Sequence, residues 1–341
     1  MMLGMNGLSL AIYLVGAALV NNIAAADMGA RLTMFSEVLV FSTYATYIVM
    51  AFMMLAMIFM LLPQAQVSAE RINEVLNRRA SIREGSVQNG KETGTVEFRN
   101  VSFRYPHASK DELTGIDFKV NKGETLAIIG ATGSGKTTLI SLIPRFYDAT
   151  RGEVLVDGVN VKDYTFNALY DKLSYVTQKA VLFSGTIRDN VLFGESAADA
   201  DGTSLTDAIQ LSQAKEFIDK LPEGTEYEIA QLGRNVSDGQ KQRLSIARAL
   251  ARKPEILFFD DSFSSLDYRT DANLREGLNE QLHGTTKIIV AQRISTIRHA
   301  DKILVLDRGE IVGMGTHEEP MQFCKVYREI DTSQLSAAEL A

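Results

Sequence analysis

The segment ETLAIIGATGSGKTTLISLI, residues 124–143, constrains the fold of this chain more than any other stretch. It begins with a short apolar run typical of a buried strand, continues as a glycine-rich loop, and ends as an apolar helix. The loop fits the pattern G-x-x-x-x-G-K-[ST] through Gly130, Gly135, Lys136 and Thr137. A flexible turn with a chance lysine is the alternative, but it does not explain the flanking strand and helix. The segment therefore predicts an α/β domain of the P-loop type.

The loop residues are suited to hold the phosphates of a nucleotide. Glycines let backbone N–H groups approach phosphate oxygens, and the helix that follows presents its positive N-terminus. Lys136 would reach the β- and γ-phosphates, and the Thr137 hydroxyl would bind Mg²⁺. The residues predicted to bind the nucleotide in this loop are Gly130, Thr132, Gly133, Ser134, Gly135, Lys136, Thr137 and Thr138.

In the stretch LFFDDSFSSLD, residues 257–267, a second apolar run ends in two adjacent carboxylates, Asp260 and Asp261. In P-loop proteins an acid at the end of a strand downstream of the loop holds Mg²⁺, and Asp260 is in that position. Asp261 follows directly, so it would lie beside the γ-phosphate and could polarise the attacking water. We therefore assign Asp260 to the metal and Asp261 to catalysis.

The first 69 residues differ from the rest of the chain because they contain only three charged residues. Two uncharged stretches, Leu3–Val20 and Val38–Leu62, are long enough as helices to cross a hydrocarbon core of about 30 Å. We predict transmembrane helices at about 3–22 and 38–62, in a partial transmembrane domain of residues 1–69.

A signal peptide is the alternative for the first stretch, since Ala24–Ala26 imitates a cleavage site, but no basic residue precedes the stretch. Arg71, Arg78 and Arg79 follow the second stretch, against one arginine between the two stretches. By the positive-inside rule, the chain from residue 70 onward is cytoplasmic. We expect a cytoplasmic linker at residues 70–94 and a multi-pass protein of the cell (plasma) membrane.

Composition excludes some classes of protein. Cys324 is the only cysteine of 341 residues, which excludes an internal disulfide framework and a cysteine-rich metal site. The net charge is −7 and no basic stripe is present, so nucleic acid is not an expected partner.

Five further stretches indicate a family. They are FRYP (103–106), YVTQ (175–178), NVSDGQKQRLSIARAL (235–250), SSLD (264–267) and IIVAQRIST (288–296). In this order and spacing, over residues 95–330, they resemble the nucleotide-binding domain of ABC transporters. Because apolar spans precede this region, the chain resembles half of an ABC exporter. The resemblance implies an α/β P-loop NTPase domain of ABC type with an inserted helical subdomain at about 160–255, preceded by transmembrane α-helices and followed by a C-terminal tail at 331–341.

The resemblance also implies roles for residues outside the loop. Tyr105 would stack on adenine, and Gln178 would contact Mg²⁺ and signal occupancy toward the membrane helices. The family signature, usually LSGGQ, corresponds to VSDGQ here, and its Ser237, Gly239 and Gln240 would face the γ-phosphate bound by another subunit. Such a composite site needs two nucleotide-binding domains, so a second half-transporter is the expected partner, in a heterodimer or a homodimer.

Four positions depart from the family pattern. The catalytic carboxylate is usually Glu but is Asp261 here, and the switch histidine is replaced by Gln292. Glutamine can donate a hydrogen bond to a phosphate oxygen but carries no charge. Asp238 stands where a glycine is usual in the signature, and Ala230 stands where exporters usually have a glutamate that contacts the coupling elements of the membrane domain.

These departures resemble the degenerate subunit of heterodimeric ABC exporters, in which one composite site hydrolyses ATP and the other mainly holds it. The sequence therefore predicts an ATP-binding exporter subunit with weak hydrolysis at its own site and an unknown exported substrate. A nucleotide-binding regulatory subunit without useful hydrolysis is the alternative. A soluble ABC protein would need a second nucleotide domain and no membrane spans. Since relatives carry six spans per half, we expect this sequence to lack an N-terminal part of the complete protein.

Overall fold

A computed structural model of the chain describes residues 2–194 and 203–339. The chain divides into two compact units, Met1–Ser81 and Ile82–Ala341. The first unit holds two helices, α1 (Met2–Asn21) and α2 (Met28–Leu76). Both helices are long and apolar enough to cross a membrane.

Local chemistry explains how these helices begin and pack. Asp27 caps α2 because its carboxylate accepts a hydrogen bond from a backbone N–H of the first turn, at 3.1 Å. A Cβ at Gly16 would collide with the side chain of Val38. The two helices therefore approach each other closely where α1 has no side chain.

Helix α2 extends beyond the predicted span of 38–62. It contains 49 residues, or about 74 Å at 1.5 Å per residue, and continues through Pro63 to Leu76. The residues after the apolar run are mostly Gln, Ala, Glu, Arg and Leu, which favour a helix even in water. The predicted linker at 70–94 therefore starts inside a helix.

The second unit contains two larger sheets, a small third sheet and the remaining helices of the described residues. Its strands are β1 (Val96–Phe103), β2 (Leu113–Val120), β3 (Thr125–Ile129), β4 (Arg151–Val156), β5 (Val159–Asn160), β6 (Leu173–Val176), β7 (Gly185–Thr186), β8 (Glu228–Ile229), β9 (Ile256–Asp260), β10 (Thr286–Val290), β11 (Lys302–Asp307) and β12 (Glu310–Gly315). Its helices are α3 (Lys136–Ser141), α4 (Phe166–Tyr170), α5 (Ile187–Val191), α6 (Thr203–Leu211), α7 (Lys215–Ile218), α8 (Asp238–Ala251), α9 (Tyr268–Gln281), α10 (Ile294–Ile297), α11 (Glu318–Phe323) and α12 (Lys325–Glu339).

The six-stranded sheet has the order β12-β11-β3-β10-β9-β6, and only β12 is antiparallel to its neighbour. The four-stranded sheet, β2-β1-β4-β5, is antiparallel throughout. Since β3, β9, β10 and β6 run parallel, their carboxyl ends meet at one edge of the larger sheet. The residues of the candidate site follow these strands and therefore lie at this edge.

Strand β3 shows why the larger sheet is buried on both faces. Leu126 and Ile128 belong to a core shared with the four-stranded sheet, whereas Ala127 and Ile129 belong to a core shared with α8 and α9. All four side chains are fully buried. Successive residues of a strand face opposite sides, so an unbroken apolar run is needed where both sides are covered.

The tertiary structure changes three predicted boundaries in this unit. The predicted helical subdomain at 160–255 is interrupted by β6, which pairs with β9 in the larger sheet. The later part of the predicted linker is also tied to the domain, since the backbone N–H of Gly85 donates to the carbonyl of Tyr164 at 2.9 Å. The predicted tail at 331–341 lies largely within α12. Each of these assignments depends on pairing or packing with distant segments.

Candidate nucleotide-binding site

The loop between β3 and α3 depends on glycine at two positions. A Cβ at Gly130 would collide with the carbonyl oxygen of Leu306 and would lie 2.8 Å from the Ser134 hydroxyl. Gly135, directly before α3, has φ +100°, a conformation that other residues rarely adopt. The backbone can therefore turn sharply between strand and helix, as a phosphate cradle requires.

Lys136 lies over this loop. Its Nζ donates to the carbonyl oxygens of Gly130 and Ala131, each at 2.8 Å. Burial lowers the pKa of Lys136, and the negative charges of Asp261 and Asp260 oppose that shift. A phosphate group would offer this ammonium a stronger acceptor than two neutral carbonyls.

Other loop atoms also fit phosphates. The Ser134 hydroxyl is buried and has no hydrogen-bond partner among the described residues. Around Gly133, a Cβ would meet nothing within 4 Å, so space is open there. A buried hydroxyl without a partner is costly, and a phosphate oxygen would satisfy it. The residues present therefore fit a nucleoside triphosphate.

Asp260 ends β9 beside α3. One carboxylate oxygen accepts a hydrogen bond from the Thr137 hydroxyl at 3.0 Å, and the other accepts from the Tyr175 hydroxyl at 2.9 Å. Burial and the charge of Asp260 raise the pKa of Tyr175, so its phenol stays protonated and acts as the donor. A carboxylate and a hydroxyl are oxygen ligands of the kind that Mg²⁺ prefers. No cluster of three or more His, Cys, Asp or Glu was found in the described ranges, and Mg²⁺ held largely by phosphates does not need one.

Asp261 is held by two side-chain amides. Gln178 Nε2 donates to Asp261 Oδ2 at 3.1 Å, and Gln292 Nε2 donates to the same oxygen at 2.6 Å. Burial raises the pKa of Asp261 and the charge of Asp260 adds to this, while the two amides and Lys136 oppose it. The structure thus brings two predicted site residues, Gln178 and Gln292, to one carboxylate oxygen of a third, Asp261.

Tyr105 lies next to the start of α3. Its hydroxyl forms a hydrogen bond of 2.9 Å with the Thr138 hydroxyl. Its ring makes edge contacts with Phe103 and Tyr147, at centroid distances of 4.8 and 5.2 Å. The ring is therefore anchored beside the phosphate loop, and stacking on adenine stays a prediction.

The signature residues form the start of α8. Ser237 Oγ accepts from the backbone N–H of Gln240 at 3.3 Å, and Gln240 Oε1 accepts from the backbone N–H of Ser237 at 2.8 Å. A Cβ at Gly239 would lie 3.5 Å from the carbonyl of Ser265, which is an ordinary contact. Across residues 2–194 and 203–339, no hydrogen bond joins this turn to the phosphate loop. Within the same residues, its side-chain hydrogen bonds are local to the first turn of α8.

The two departures around the signature have their own contacts. The Asp238 side chain is 89% exposed and pairs with Lys241 Nζ at 3.0 Å. The backbone N–H of Ala230 donates to Asn235 Oδ1 at 2.9 Å, and its methyl group offers no charge.

Sequence reasoning missed Tyr175 as a site residue. It lies within the quoted YVTQ stretch, but its contact with Asp260 spans 85 positions of the chain. Only the adjacency of β6 and β9 brings them together.

Comparisons with known proteins agree with this geometry. A family model described as ABC transporter matches residues 113–264. The chain is 42% identical over 302 residues to "Uncharacterized ABC transporter ATP-binding protein YfiB" of Bacillus subtilis, which covers 89% of this chain and 52% of that protein. It is 41% identical over 251 residues to "ATP-dependent lipid A-core flippase" of Pseudomonas aeruginosa, covering 74% of this chain and 42% of the relative. The chain thus spans about half the length of the curated relatives it matches.

A solved structure supports the fold over nearly the whole chain. The "Structure of a bacterial Atm1-family ABC exporter with ATP bound" matches with a TM-score of 0.79 and 30% identity, covering 96% of this chain and 58% of that one. With its two apolar helices, the chain is a membrane protein whose ATP-binding domain lies on the cytoplasmic side. The fold, the phosphate loop and the relatives together show that the chain belongs to the ABC transporter family, with the fold of an ABC exporter.

Proposed function

We propose that this chain is the ATP-binding part of an ABC exporter half that pairs with a second half-transporter. ATP binding and hydrolysis at the interface of the two ATP-binding domains would drive export of a substrate across the membrane. The proposal is supported by the ATP-binding fold, by the two apolar helices and by relatives with names such as "Putative multidrug export ATP-binding/permease protein YgaD". The partner would be a different half-transporter or a second copy of this chain.

In this proposal the residues of the phosphate loop bind ATP. Lys136 moves its hydrogen bonds from the loop carbonyls to the β- and γ-phosphates, and Ser134 gains an acceptor. Thr137 and Asp260 would hold Mg²⁺, and the ion would supply positive charge to offset that of the phosphates. Gln178 donates to Asp261 through Nε2 and accepts no hydrogen bond through Oε1 within the described residues, so that oxygen is suited to the metal.

We further propose that this chain's own site holds ATP and hydrolyses it slowly. The observation that carries this is the double hydrogen bond to Asp261 Oδ2, because an oxygen that accepts from both Gln178 and Gln292 is poorly placed to accept a proton from water. Since burial raises the pKa of Asp261, weak basicity is not the defect. Asp also lacks one methylene relative to Glu, and a misplacement of about 1 Å can cost about 100-fold in rate.

Binding and turnover of Mg·ATP by the purified chain test the proposal. Wild type should bind a fluorescent ATP analogue, and Lys136→Ala should abolish saturable binding because the phosphates lose their cationic partner. Lys220→Ala is the matched control, since that lysine is 70% exposed and, among the described residues, its side chain pairs only with Glu216. Phosphate release should stay below about 1 s⁻¹, the lower end of ordinary enzyme turnover.

Two results would contradict the proposal in different ways. Failure of wild type to bind Mg·ATP would exclude the ATP-binding role. Turnover by this chain alone above about 1 s⁻¹ would leave that role intact and exclude the slow site.

A further inference from the structure

One side chain of the C-terminal helix α12, that of Gln334, forms hydrogen bonds with the segment that follows β10. Gln334 Nε2 donates to the backbone carbonyl of Gln292 at 2.6 Å, and Gln334 Oε1 accepts from the backbone N–H of Ile294 at 2.9 Å. A side-chain amide has one donor face and one acceptor face, so it can pair with a peptide segment as a neighbouring strand would. The two bonds enclose Arg293, whose backbone is extended at φ −106° and ψ 129°.

This double hydrogen bond fixes a segment that is weakly held by packing. Residues 292 and 293 are exposed, whereas the side chains of Ile294 and Ile297 are buried in the core. A cavity of about 500 Å³ is lined by Asp261, Gln292, Arg293 and Gln334, among others. Because this cavity leaves room for the segment to move, the bonds from α12 restrain it where packing does not.

The restrained residue is also the one that reaches the catalytic carboxylate. Gln292 is bound at its carbonyl by Gln334 and at its side-chain amide by Asp261, at 2.6 Å in both cases. Rotation of the backbone at this residue would carry the side-chain amide away from Asp261. Hydrogen bonds therefore restrain both the backbone and the side chain of Gln292.

We propose that Gln334 is a positioning residue for the site: from α12 it holds the backbone at Gln292 so that the Gln292 side chain meets Asp261. This inference rests on the proposed function, because the positioned groups are those that would face the hydrolytic water. It goes further by making the C-terminal helix part of the ATP site. A loss of α12 would then change turnover without removing any group that binds ATP.

Two substitutions separate the two hydrogen bonds. Gln334→Ala removes both, whereas Gln334→Glu keeps an acceptor for the Ile294 N–H but has no donor for the Gln292 carbonyl. Thr332→Ala is the matched control on the same helix, because Thr332 is exposed and its hydroxyl donates to the Arg328 carbonyl of its own helix. All variants are made in the full chain.

Three readouts decide the outcome. In Gln334→Ala the backbone amide of Ile294 should exchange with solvent at least about tenfold faster, and in Gln334→Glu it should stay protected. In both variants the ¹⁵N resonance of the Gln292 side-chain amide should shift. Single-turnover hydrolysis should rise about three- to tenfold with the ATP affinity unchanged, because Asp261 Oδ2 loses the Gln292 donor that occupies it. Thr332→Ala should match wild type in all three.

The inference is overturned if Gln334→Ala accelerates exchange at Ile294 while the Gln292 resonance and the hydrolysis rate stay as in wild type. Gln334 would then be a structural tether only. If wild type itself shows no hydrolysis, the catalytic part of the proposed function fails, and the Gln292 resonance still confirms or overturns the positioning role.

Discussion

At the scale of single residues, Asp261 experiences opposing electrostatic influences. Burial and the charge of Asp260 favour the neutral acid, while the amides of Gln178 and Gln292 favour the carboxylate, and the net result is a raised pKa. Its backbone has φ +47°, in the left-handed region where Asp and Asn are the most readily accepted non-glycine residues. The fold therefore disfavours the ionised form of Asp261 relative to the unfolded chain.

This conclusion predicts that Asp261→Asn stabilises the nucleotide-free protein at pH 7. A folded pKa above the unfolded value means that the ionised side chain costs stability, and this cost appears as pH rises from the unfolded toward the folded pKa. Asparagine accepts the same two hydrogen bonds and carries no charge. The thermal midpoint of the variant should exceed that of wild type at pH 7, with a smaller difference at pH 4. A variant less stable than wild type at pH 7 would mean that the carboxylate is favoured in the fold.

At the scale of elements, the start of α8 has a stable N-cap, and in the proposed dimer the same turn would face the ATP bound by the partner. Ser237 and Gln240 form a reciprocal capping box, so the cap does not depend on Asp238, which pairs with Lys241 instead. Ser237 Oγ acts as an acceptor in this cap, so its own proton stays available for a phosphate oxygen. The same hydroxyl can therefore serve the helix and, in the proposed dimer, the partner's ATP.

We expect Ser237→Ala to destabilise the domain by about 1 kcal/mol, as for loss of an N-cap. In a domain of this size that corresponds to a fall of about 2–4 °C in Tm. Asp238→Ala is the control, and its effect should stay within about 0.5 kcal/mol because that side chain is exposed. Thermal unfolding of both variants measures the difference. Equal effects would indicate that the capping box adds nothing beyond a surface contact.

At the scale of the whole ATP-binding unit, a buried ionic cluster joins the two larger sheets. Lys172, just before β6, lies 2.8 Å from Asp157, which follows β4 and is fully buried. Its Nζ also lies 3.0 Å from Glu255, just before β9. Burial lowers the pKa of Lys172, but the hydrogen bonds that its ammonium donates to both carboxylates outweigh this and leave the pKa raised. The lysine is therefore charged and compensates a carboxylate that water cannot reach.

Lys172→Met should cost about 3–5 kcal/mol of unfolding free energy, because it leaves Asp157 buried without its counterion. Lys215→Met is the matched control, since its pair with Asp219 is exposed and such pairs contribute at most about 1 kcal/mol. Denaturant unfolding of the two variants gives the comparison. A cost for Lys172→Met no larger than that of the control would show that Asp157 is relieved by other groups.

Much of this unit is decided by residues that are close in sequence. The phosphate loop needs Gly130, Gly135 and Lys136 within a few positions of one strand and one helix, so its pattern alone predicts both the local structure and the ligand. Asp260 is equally local, because an apolar run that ends in an acid marks the carboxyl end of a buried strand. The family membership expected from such stretches is confirmed by the comparisons.

Only the tertiary structure decides which distant residues share the site. Asp261 meets Gln178 from 83 positions away and Gln292 from 31, and Gln334 reaches Gln292 from 42. These contacts follow from the placement of β9 between β10 and β6 and from the packing of α12, which no local pattern encodes. Strand order is a balance of many weak long-range contacts, whereas a loop motif is determined by the backbone freedom and side-chain chemistry of neighbouring residues. For this reason the sequence by itself predicted a nucleotide-binding loop, and the fold decided how the predicted catalytic carboxylate is held.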